Sequence, residues 1–138
     1  MSFDTLAMEN ILDHYKNPHN KGKVAHPTLC NKEKNPSCGD ELEVSAHLDA
    51  NKKITEMKFD GHGCAISQAA ISMLSDDLRG KSVQEVLSVK KEQVLELLGI
   101  DVAPMRIKCA MLGLRVLQRA ILQHEGKNAH EISLSNTD

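Results

Sequence analysis

Three cysteines and one aspartate stand at positions where their side chains could bind the same metal ion. Cys38 and Asp40 are separated by one glycine in residues 35–40, which read Asn-Pro-Ser-Cys-Gly-Asp. A thiol and a carboxylate are both metal ligands when deprotonated, and two residues on one tight turn are close enough to share an ion. The proline and the glycine fix the backbone there, and Gly39 can adopt a positive φ.

Cys64 and Cys109 supply two further thiols, each near the start of a predicted helix. Cys64 follows Gly63 where a strand passes into a helix, and the unpaired N–H groups of a helix N-terminus favour a thiolate over a thiol. Cys109 lies in the first turns of the last predicted helix, after Arg106 and Lys108. Those two cations either face solvent without a further role, or tune the thiol, or contact an acidic partner.

Length and composition restrict the class of protein. The 138 residues fit one domain, 1–138, with a polar C-terminal tail from about residue 126 that we expect to be mobile. Apolar residues make up 41% and charged residues 26%, which are ordinary values for a globular protein. A net charge of -2 and an aromatic content of 2% argue against nucleic-acid binding.

The sequence also predicts where the protein is located and how its cysteines are used. No apolar run approaches the roughly 20 residues that span a bilayer, and the N-terminus lacks a signal-peptide pattern. We therefore expect a cytoplasmic protein without a membrane partner. Four cysteines in that compartment are expected to bind metal or react rather than form disulfides.

Hydrophobic periodicity predicts an α+β fold. Residues 41–48 alternate as a half-buried strand, with Leu42, Val44, Ala46 and Leu48 on one face. A turn and a second strand follow, residues 24–32 form a possible third strand, and residues 31–35 are predicted to be a loop. The predicted helices cover residues 4–16, about 65–78, 82–87, 90–98 and 104–124. These elements indicate a small three-stranded antiparallel sheet with helices packed on one side and the metal site at one end.

The first helix carries an apolar stripe that is most simply a docking face. Its members are Leu6, Met8, Ile11, Leu12 and Tyr15.

Three motifs in order resemble those of a known family. They are residues 35–40, residues 61–67 (Gly-His-Gly-Cys-Ala-Ile-Ser) and residues 106–110 (Arg-Ile-Lys-Cys-Ala). Together they are similar to the signature motifs of the U-type iron–sulfur cluster assembly proteins, which include IscU, SufU and the N-terminal domain of NifU. The resemblance extends over residues 5–123 and agrees with the predicted order of elements.

The resemblance implies a ligand set, a function and partners. The ligands it implies are Cys38, Asp40, Cys64 and Cys109. It implies that a cysteine desulfurase delivers sulfur and that downstream assembly or acceptor proteins receive the product. Such a protein is a scaffold or sulfur acceptor rather than an independent enzyme, although a zinc-dependent sulfurtransferase role is open.

Two modes of action remain open at the level of sequence. The residues around Cys64 and Cys109 resemble SufU, since Lys108 stands where IscU usually has histidine and residues 102–106 replace the IscU chaperone-recognition segment. The 45-residue spacing from Cys64 to Cys109 lacks the usual SufU insertion and is closer to IscU. The cofactor is accordingly either a zinc ion, with Cys109 as sulfur acceptor, or a [2Fe–2S] cluster that Asp40 binds weakly.

The same residues admit two other interpretations. A structural zinc-binding interaction domain predicts a closed site, and a cysteine-dependent thiol enzyme needs a base that the sequence does not pair with any thiol. Cys30 matches no motif and is predicted to be a small hydrophobe in or beside a strand. His62, between two glycines, is predicted to be exposed and hydrogen-bonded rather than a metal ligand.

Overall fold

Three antiparallel strands and five helices form the part of the chain that the computed structural model describes, residues 3–36 and 39–126. In chain order they are α1 (Phe3–Lys16), β1 (Leu29–Lys34), β2 (Glu41–Leu48), β3 (Ile54–His62), α2 (Ala65–Asp77), α3 (Val83–Leu87), α4 (Lys91–Leu98) and α5 (Pro104–His124). The strands pair in the order β1–β2–β3, which confirms the predicted α+β class. Cys38 and residues 127–138, which include the predicted tail, lie outside the described residues. None of the described helices has the length and apolar character needed to cross a membrane.

The central strand β2 places its apolar residues against the helices, as predicted. Leu42, Val44 and Ala46 have no exposed surface. Helix α5 packs against β1 and β2, α2 packs against β3, and the two helices pack against each other, so both cover the same face of the sheet.

The opposite face of β2 is less open than its polar residues indicate. Ser45 was expected to point away from the core, yet it is buried, and its hydroxyl accepts a hydrogen bond from the N–H of Val24 at 2.9 Å. Val24 is itself buried. The segment between α1 and β1 therefore covers part of this second face.

The predicted position of the third strand was wrong by several residues. The strand begins at Leu29 rather than 24, and the charged residues 31–34, predicted to be a loop, belong to β1. Polar side chains of this edge strand have specific partners. Asn31 donates to the carbonyl of Val116, and Glu33 pairs with Arg119, both on α5. Because these partners are far away in sequence, the hydrophobic pattern predicted a possible strand over residues 24–32 but not that the charged residues 31–34 extend it.

Helix boundaries follow the local signals that the sequence carries. Ser82 and Glu85 form a capping box at the start of α3. Gly99 ends α4 with φ 74°, in the left-handed region that glycine tolerates. Pro104 occupies the first turn of α5, where its missing N–H leaves no hydrogen bond unmade.

Close contact between α2 and α5 depends on Gly113, which lies one turn after Cys109. A Cβ atom at position 113 would lie 2.5 Å from Cδ1 and 2.8 Å from Cβ of Ile71, which is fully buried. Glycine therefore lets the two helices approach more closely than any side chain would allow.

The apolar stripe predicted on α1 is only partly a docking face. Ile11 is buried, whereas Leu6, Met8, Leu12 and Tyr15 are between 44% and 50% exposed. The helix contacts α2 through Ile11 and through His14, one turn later on the same face. The contact with α2 therefore includes a buried histidine, whereas the apolar pattern predicted that large apolar side chains would form it.

His14 belongs to a polar network between α1, the following loop and α2. Its Nδ1 lies 2.7 Å from the hydroxyl of Ser72, which also accepts the backbone N–H of His19. The His19 ring lies 2.5 Å from a carboxylate oxygen of Asp76, and the two imidazole rings are 4.4 Å apart. Burial, followed by the nearby His19, lowers the pKa of His14 below its usual value, against opposing effects of Asp76 and Asp13.

Substituting Gly113 tests the helix contact. Gly113→Ala improves intrinsic helix propensity by about 1 kcal/mol, but overpacking against Ile71 costs about 1–3 kcal/mol. We expect a net loss of stability, measured by chemical denaturation. Ile71→Val in the Gly113→Ala background removes Cδ1 and should recover part of that loss. A Gly113→Ala variant more stable than the wild type would contradict the contact.

The lowered pKa of His14 predicts a pH dependence of stability. Below pH ~6.5 the unfolded chain binds a proton that the folded ring resists, so the free energy of unfolding falls as the pH decreases. Between about pH 7.5 and 5.5, His14→Gln should show a flatter dependence than the wild type. His47→Gln, which changes an exposed histidine bonded to Thr55, should keep the wild-type slope. Equal slopes for all three proteins would exclude this role of His14.

Candidate metal centre

The turn before β2 carries Asp40 into the protein interior. The N–H of Asn35 donates to the carbonyl of Asp40 at 2.7 Å, and the N–H of Gly39 donates to the carbonyl of Asn35 at 2.8 Å. Gly39 has φ 75°, which confirms its predicted positive value. Asp40 is 3% exposed as a result. The position of Cys38 as a ligand stays a prediction, because it falls outside the described residues.

Two glycines allow the β3–α2 connection to lie against Asp40. A Cβ at Gly61, whose φ is 127°, would collide with the backbone carbonyl of Glu41. A Cβ at Gly63 would lie 2.8 Å from Cγ of Asp40 and 2.5 Å from the hydroxyl of Ser67. Gly63 is therefore required by close packing around the carboxylate, whereas Gly61 is required by close packing against the backbone of β2.

Cys64 is the N-cap residue of α2, as predicted. Its side chain makes no capping hydrogen bond, and its Sγ lies 3.9 Å from the hydroxyl of Ser67. Its backbone N–H donates to Oδ1 of Asp40 at 3.1 Å. The half-buried thiol is thus held beside the carboxylate without being used to cap its own helix.

Cys109 enters the same region from the second turn of α5. It is 2% exposed, and the side-chain amide of Asn35 lies 4.0 Å from its Sγ. Arg106 and Lys108, the cations predicted to tune it or to contact a partner, are both exposed.

Asp40, Cys64 and Cys109 converge on one point. One carboxylate oxygen and the two Sγ atoms all lie within 4.8 Å of one another. Sulfur ligands of a tetrahedral zinc ion, bound at about 2.3 Å, are roughly 4 Å apart, so the spacing suits such an ion. Oδ2 of Asp40 is buried and has no hydrogen-bond partner among the described residues. A buried carboxylate oxygen is costly to leave unpaired, and a cation would satisfy it.

Neighbouring charged groups are engaged with one another on the surface. Glu41 contacts Lys32 at 2.7 Å and Lys34 at 3.6 Å. The hydrogen bond with Lys32 lowers the pKa of Glu41, and the same contact raises the pKa of Lys32. Glu41 is therefore occupied by lysines of β1 and is not part of the convergent group.

Two residues left undecided by the sequence lie outside this group. His62 is exposed at the end of β3, as predicted, in register opposite Glu41. Cys30 lies on β1, but it is exposed and does not act as a buried hydrophobe. Sequence reasoning missed the contacts of Asn35 and Ser67 with the thiols, because a quoted motif does not show which way its other side chains point.

The fold and this cluster define a class of protein. The sequence profile described as "NifU-like N terminal domain" matches residues 6–131. The chain belongs to this family, which confirms the resemblance carried by the three motifs.

Particular relatives have names of two kinds. The chain is 34% identical to the "Zinc-dependent sulfurtransferase SufU" of Bacillus subtilis, over 92% of this chain and 97% of that protein. It is 30% identical to the "Iron-sulfur cluster assembly scaffold protein IscU" of Haemophilus influenzae, over 86% and 95%.

Solved structures show the same architecture. A putative iron–sulfur cluster assembly scaffold protein for the SUF system from Fervidobacterium islandicum has a TM-score of 0.72 at 30% identity, covering 82% of this chain and 94% of that one. The N-terminal NifU-like protein of Brucella abortus also has a TM-score of 0.72, covering 87% and 94%, and at 18% identity it supports the fold alone.

Gly63 provides a test of the cluster that leaves all its ligands in place. Gly63→Ala puts a methyl group against the Asp40 carboxylate, and displacing a ligand in this way should weaken zinc binding about 10–100-fold. Competition with a chromophoric chelator measures the affinity. Gly80→Ala is the control for a glycine substitution away from the cluster, because Gly80 has open space around it and its positive φ of 88° makes any strain local. The same affinity in both variants would contradict a site built around Asp40.

Proposed function

We propose that this protein accepts sulfur from a cysteine desulfurase and passes it towards iron–sulfur clusters, with a zinc ion bound at its metal centre. The observation that carries the proposal is the Asp40 carboxylate, which lies beside two cysteine sulfurs and has a buried oxygen without a hydrogen-bond partner among the described residues. A set of thiolates with one carboxylate oxygen suits zinc. The relative named as a zinc-dependent sulfurtransferase supports the same choice.

Four residues would bind the zinc ion, and one of them would also accept sulfur. Cys38, Asp40, Cys64 and Cys109 would hold the zinc ion. When bound, zinc would keep the cysteines in the thiolate form and protect them from oxidation. Cys109 is the proposed sulfur acceptor, and the protein acts as a carrier or scaffold for its partner's product.

The transfer step is a thiol–persulfide exchange. The Cys109 thiolate attacks the terminal sulfur of a persulfide on the desulfurase cysteine, and the sulfur–sulfur bond of that persulfide breaks. The desulfurase cysteine leaves as a thiolate, and Cys109 becomes the persulfide. No external oxidant or reductant is needed, because one sulfur–sulfur bond replaces another.

Burial of Cys109 makes opening of the site part of the proposal. With 2% exposure, its sulfur is not accessible to another protein in the closed arrangement. Asp40 is the one oxygen ligand among the proposed thiolates, and we expect its contact to give way when sulfur is transferred.

The exposed start of α5 offers the partner a surface next to Cys109. Met105 is 82% exposed, and the exposed cations Arg106 and Lys108 follow it. A partner that presents apolar and acidic side chains around its persulfide would complement this surface. We propose this start of α5 as a contact site for the desulfurase.

A second candidate is a scaffold on which a [2Fe–2S] cluster is assembled as cargo. The absence of an insertion between Cys64 and Cys109 favours it, as does the relative named as an IscU scaffold. Visible absorbance after anaerobic reconstitution with iron and sulfide supports the scaffold. A colourless protein with one zinc ion that stimulates the desulfurase supports the relay.

A desulfurase assay with two cysteine variants tests the acceptor. After one turnover, the wild type should carry persulfide sulfur, and Cys109→Ala should carry at least tenfold less because its attacking thiolate is missing. Cys30→Ala removes an exposed cysteine outside the cluster and should match the wild type. Intact-protein mass spectrometry measures the added sulfur.

Two outcomes would contradict the proposal. Full sulfur uptake by Cys109→Ala would exclude Cys109 as the acceptor. A wild-type protein that binds no metal, takes up no sulfur and does not stimulate the desulfurase would exclude the function as a whole.

A further inference from the structure

Asp40 and Asn35, both in the turn of residues 35–40, connect this turn to the other two segments that build the metal centre. Asp40 accepts the backbone N–H of Cys64, which joins the turn to the start of α2. The side-chain amide of Asn35 reaches Sγ of Cys109, which joins the turn to α5. The first contact involves a proposed ligand. The second involves a residue to which no role has been given.

We propose that Asn35 is a positioning residue that donates a side-chain N–H to the sulfur of Cys109 and so directs incoming sulfur to that cysteine. The inference rests on the proposed function and names the residue that selects among its thiols. Asn35 is 8% exposed and Cys109 is 2% exposed, so the contact is shielded from water. Its length of 4.0 Å is the long end of what a large sulfur atom allows, and a charged sulfur would shorten it.

The backbone around Asn35 holds this donor in place. Its N–H donates to the carbonyl of Asp40, and its carbonyl accepts the N–H of Gly39. Both bonds are shorter than 3 Å and fix the residue at the base of the turn. A donor fixed in this way does not have to be ordered when the sulfur arrives.

The position of Cys109 in its helix explains why it needs such a donor. Cys64 stands at the N-cap of α2, beside the first backbone N–H groups of the helix, which have no carbonyl partner within it. Cys109 is in the second turn of α5, beyond the helix start, where the backbone N–H groups bond to carbonyls within the helix. The side-chain amide of Asn35, from another segment, supplies an N–H to the sulfur of Cys109 that the start of α5 does not.

The same N–H can serve Cys109 before and after transfer. An amide N–H donates to a thiolate sulfur and to a persulfide sulfur without exchanging a proton. It therefore orients the attacking thiolate and stabilises the persulfide product, whereas the described part of the turn contacts the backbone N–H of Cys64 rather than its sulfur. Sulfur should accumulate on Cys109 as long as Asn35 is present.

The test uses Asn35→Ala and Asn35→Asp, both of which remove the side-chain N–H. Asn35→Asp keeps the size of the side chain, so it separates loss of the donor from loss of packing. Asn31→Ala is the matched control, because Asn31 also donates from this part of the chain to α5, but to the carbonyl of Val116. Thermal unfolding measures any general loss of stability in all three.

The first readout needs no desulfurase. In Co²⁺-loaded protein, a hydrogen bond to a thiolate lowers the energy of the sulfur lone pair that donates in the charge-transfer band. Both Asn35 variants should shift that band to longer wavelength, while Asn31→Ala leaves it unchanged. An unshifted band in both Asn35 variants overturns the contact between Asn35 and Cys109, whatever the protein does with sulfur.

The second readout locates the transferred sulfur. After one desulfurase turnover, peptide mass spectrometry gives the ratio of persulfide on Cys109 to persulfide on the other cysteines. The ratio should fall at least fivefold in both Asn35 variants and stay unchanged in Asn31→Ala. An unchanged ratio in the Asn35 variants overturns the selecting role. If the wild type takes up no sulfur, the proposed function fails and the selecting role fails with it, while the Co²⁺ band still decides the contact.

Discussion

The carboxylate of Asp40 has two roles, because it binds a backbone N–H and also belongs to the candidate metal centre. Its Oδ1 accepts the N–H of Cys64, its Oδ2 is buried with no partner among the described residues, and the carboxylate lies close to two cysteine sulfurs. A buried carboxylate oxygen is destabilising unless a positive charge or a donor compensates it. This arrangement depends on the turn that carries Asp40 inward. It also depends on Gly63, which makes room for the carboxylate. A bound cation would make the buried carboxylate stabilising rather than destabilising. Metal binding is therefore coupled to the stability of the site.

Close packing between α2 and α5 also fixes the positions of the two cysteines at the site. Gly113 lies one turn after Cys109, and its missing side chain lets α5 approach Ile71 of α2. Glycine in a helix costs about 1 kcal/mol relative to alanine, so the close contact has to offset that cost. The close contact fixes the relative positions of two cysteines, because Cys64 begins α2 and Cys109 lies on α5. The distance between the two sulfurs is thereby set by rigid helices rather than by loops.

The two modes of action considered for this family use the same residues and differ in what those residues hold. In the sulfur relay, a zinc ion remains while sulfur passes through Cys109, and in the scaffold an iron–sulfur cluster is built and released. Both modes need one contact that breaks readily and one thiol that is favoured over the others. We assign the first property to Asp40 and the second to the pair of Cys109 and Asn35. The buried position of Cys109 requires the site to open in either mode.

The sequence by itself determined the elements whose signals are local. Periodicity located β2, β3 and the helices, capping residues located the ends of α3 and α4, and three motifs singled out the cysteines and Asp40. Only the tertiary structure showed that charged residues form β1, that α1 leaves most of its apolar residues half exposed, and that Asn35 reaches Cys109. Each of these depends on partners from distant segments, 74 residues apart for Asn35 and Cys109. A pattern of neighbouring residues contains no information about such contacts, because they form only when the sheet and α5 pack together.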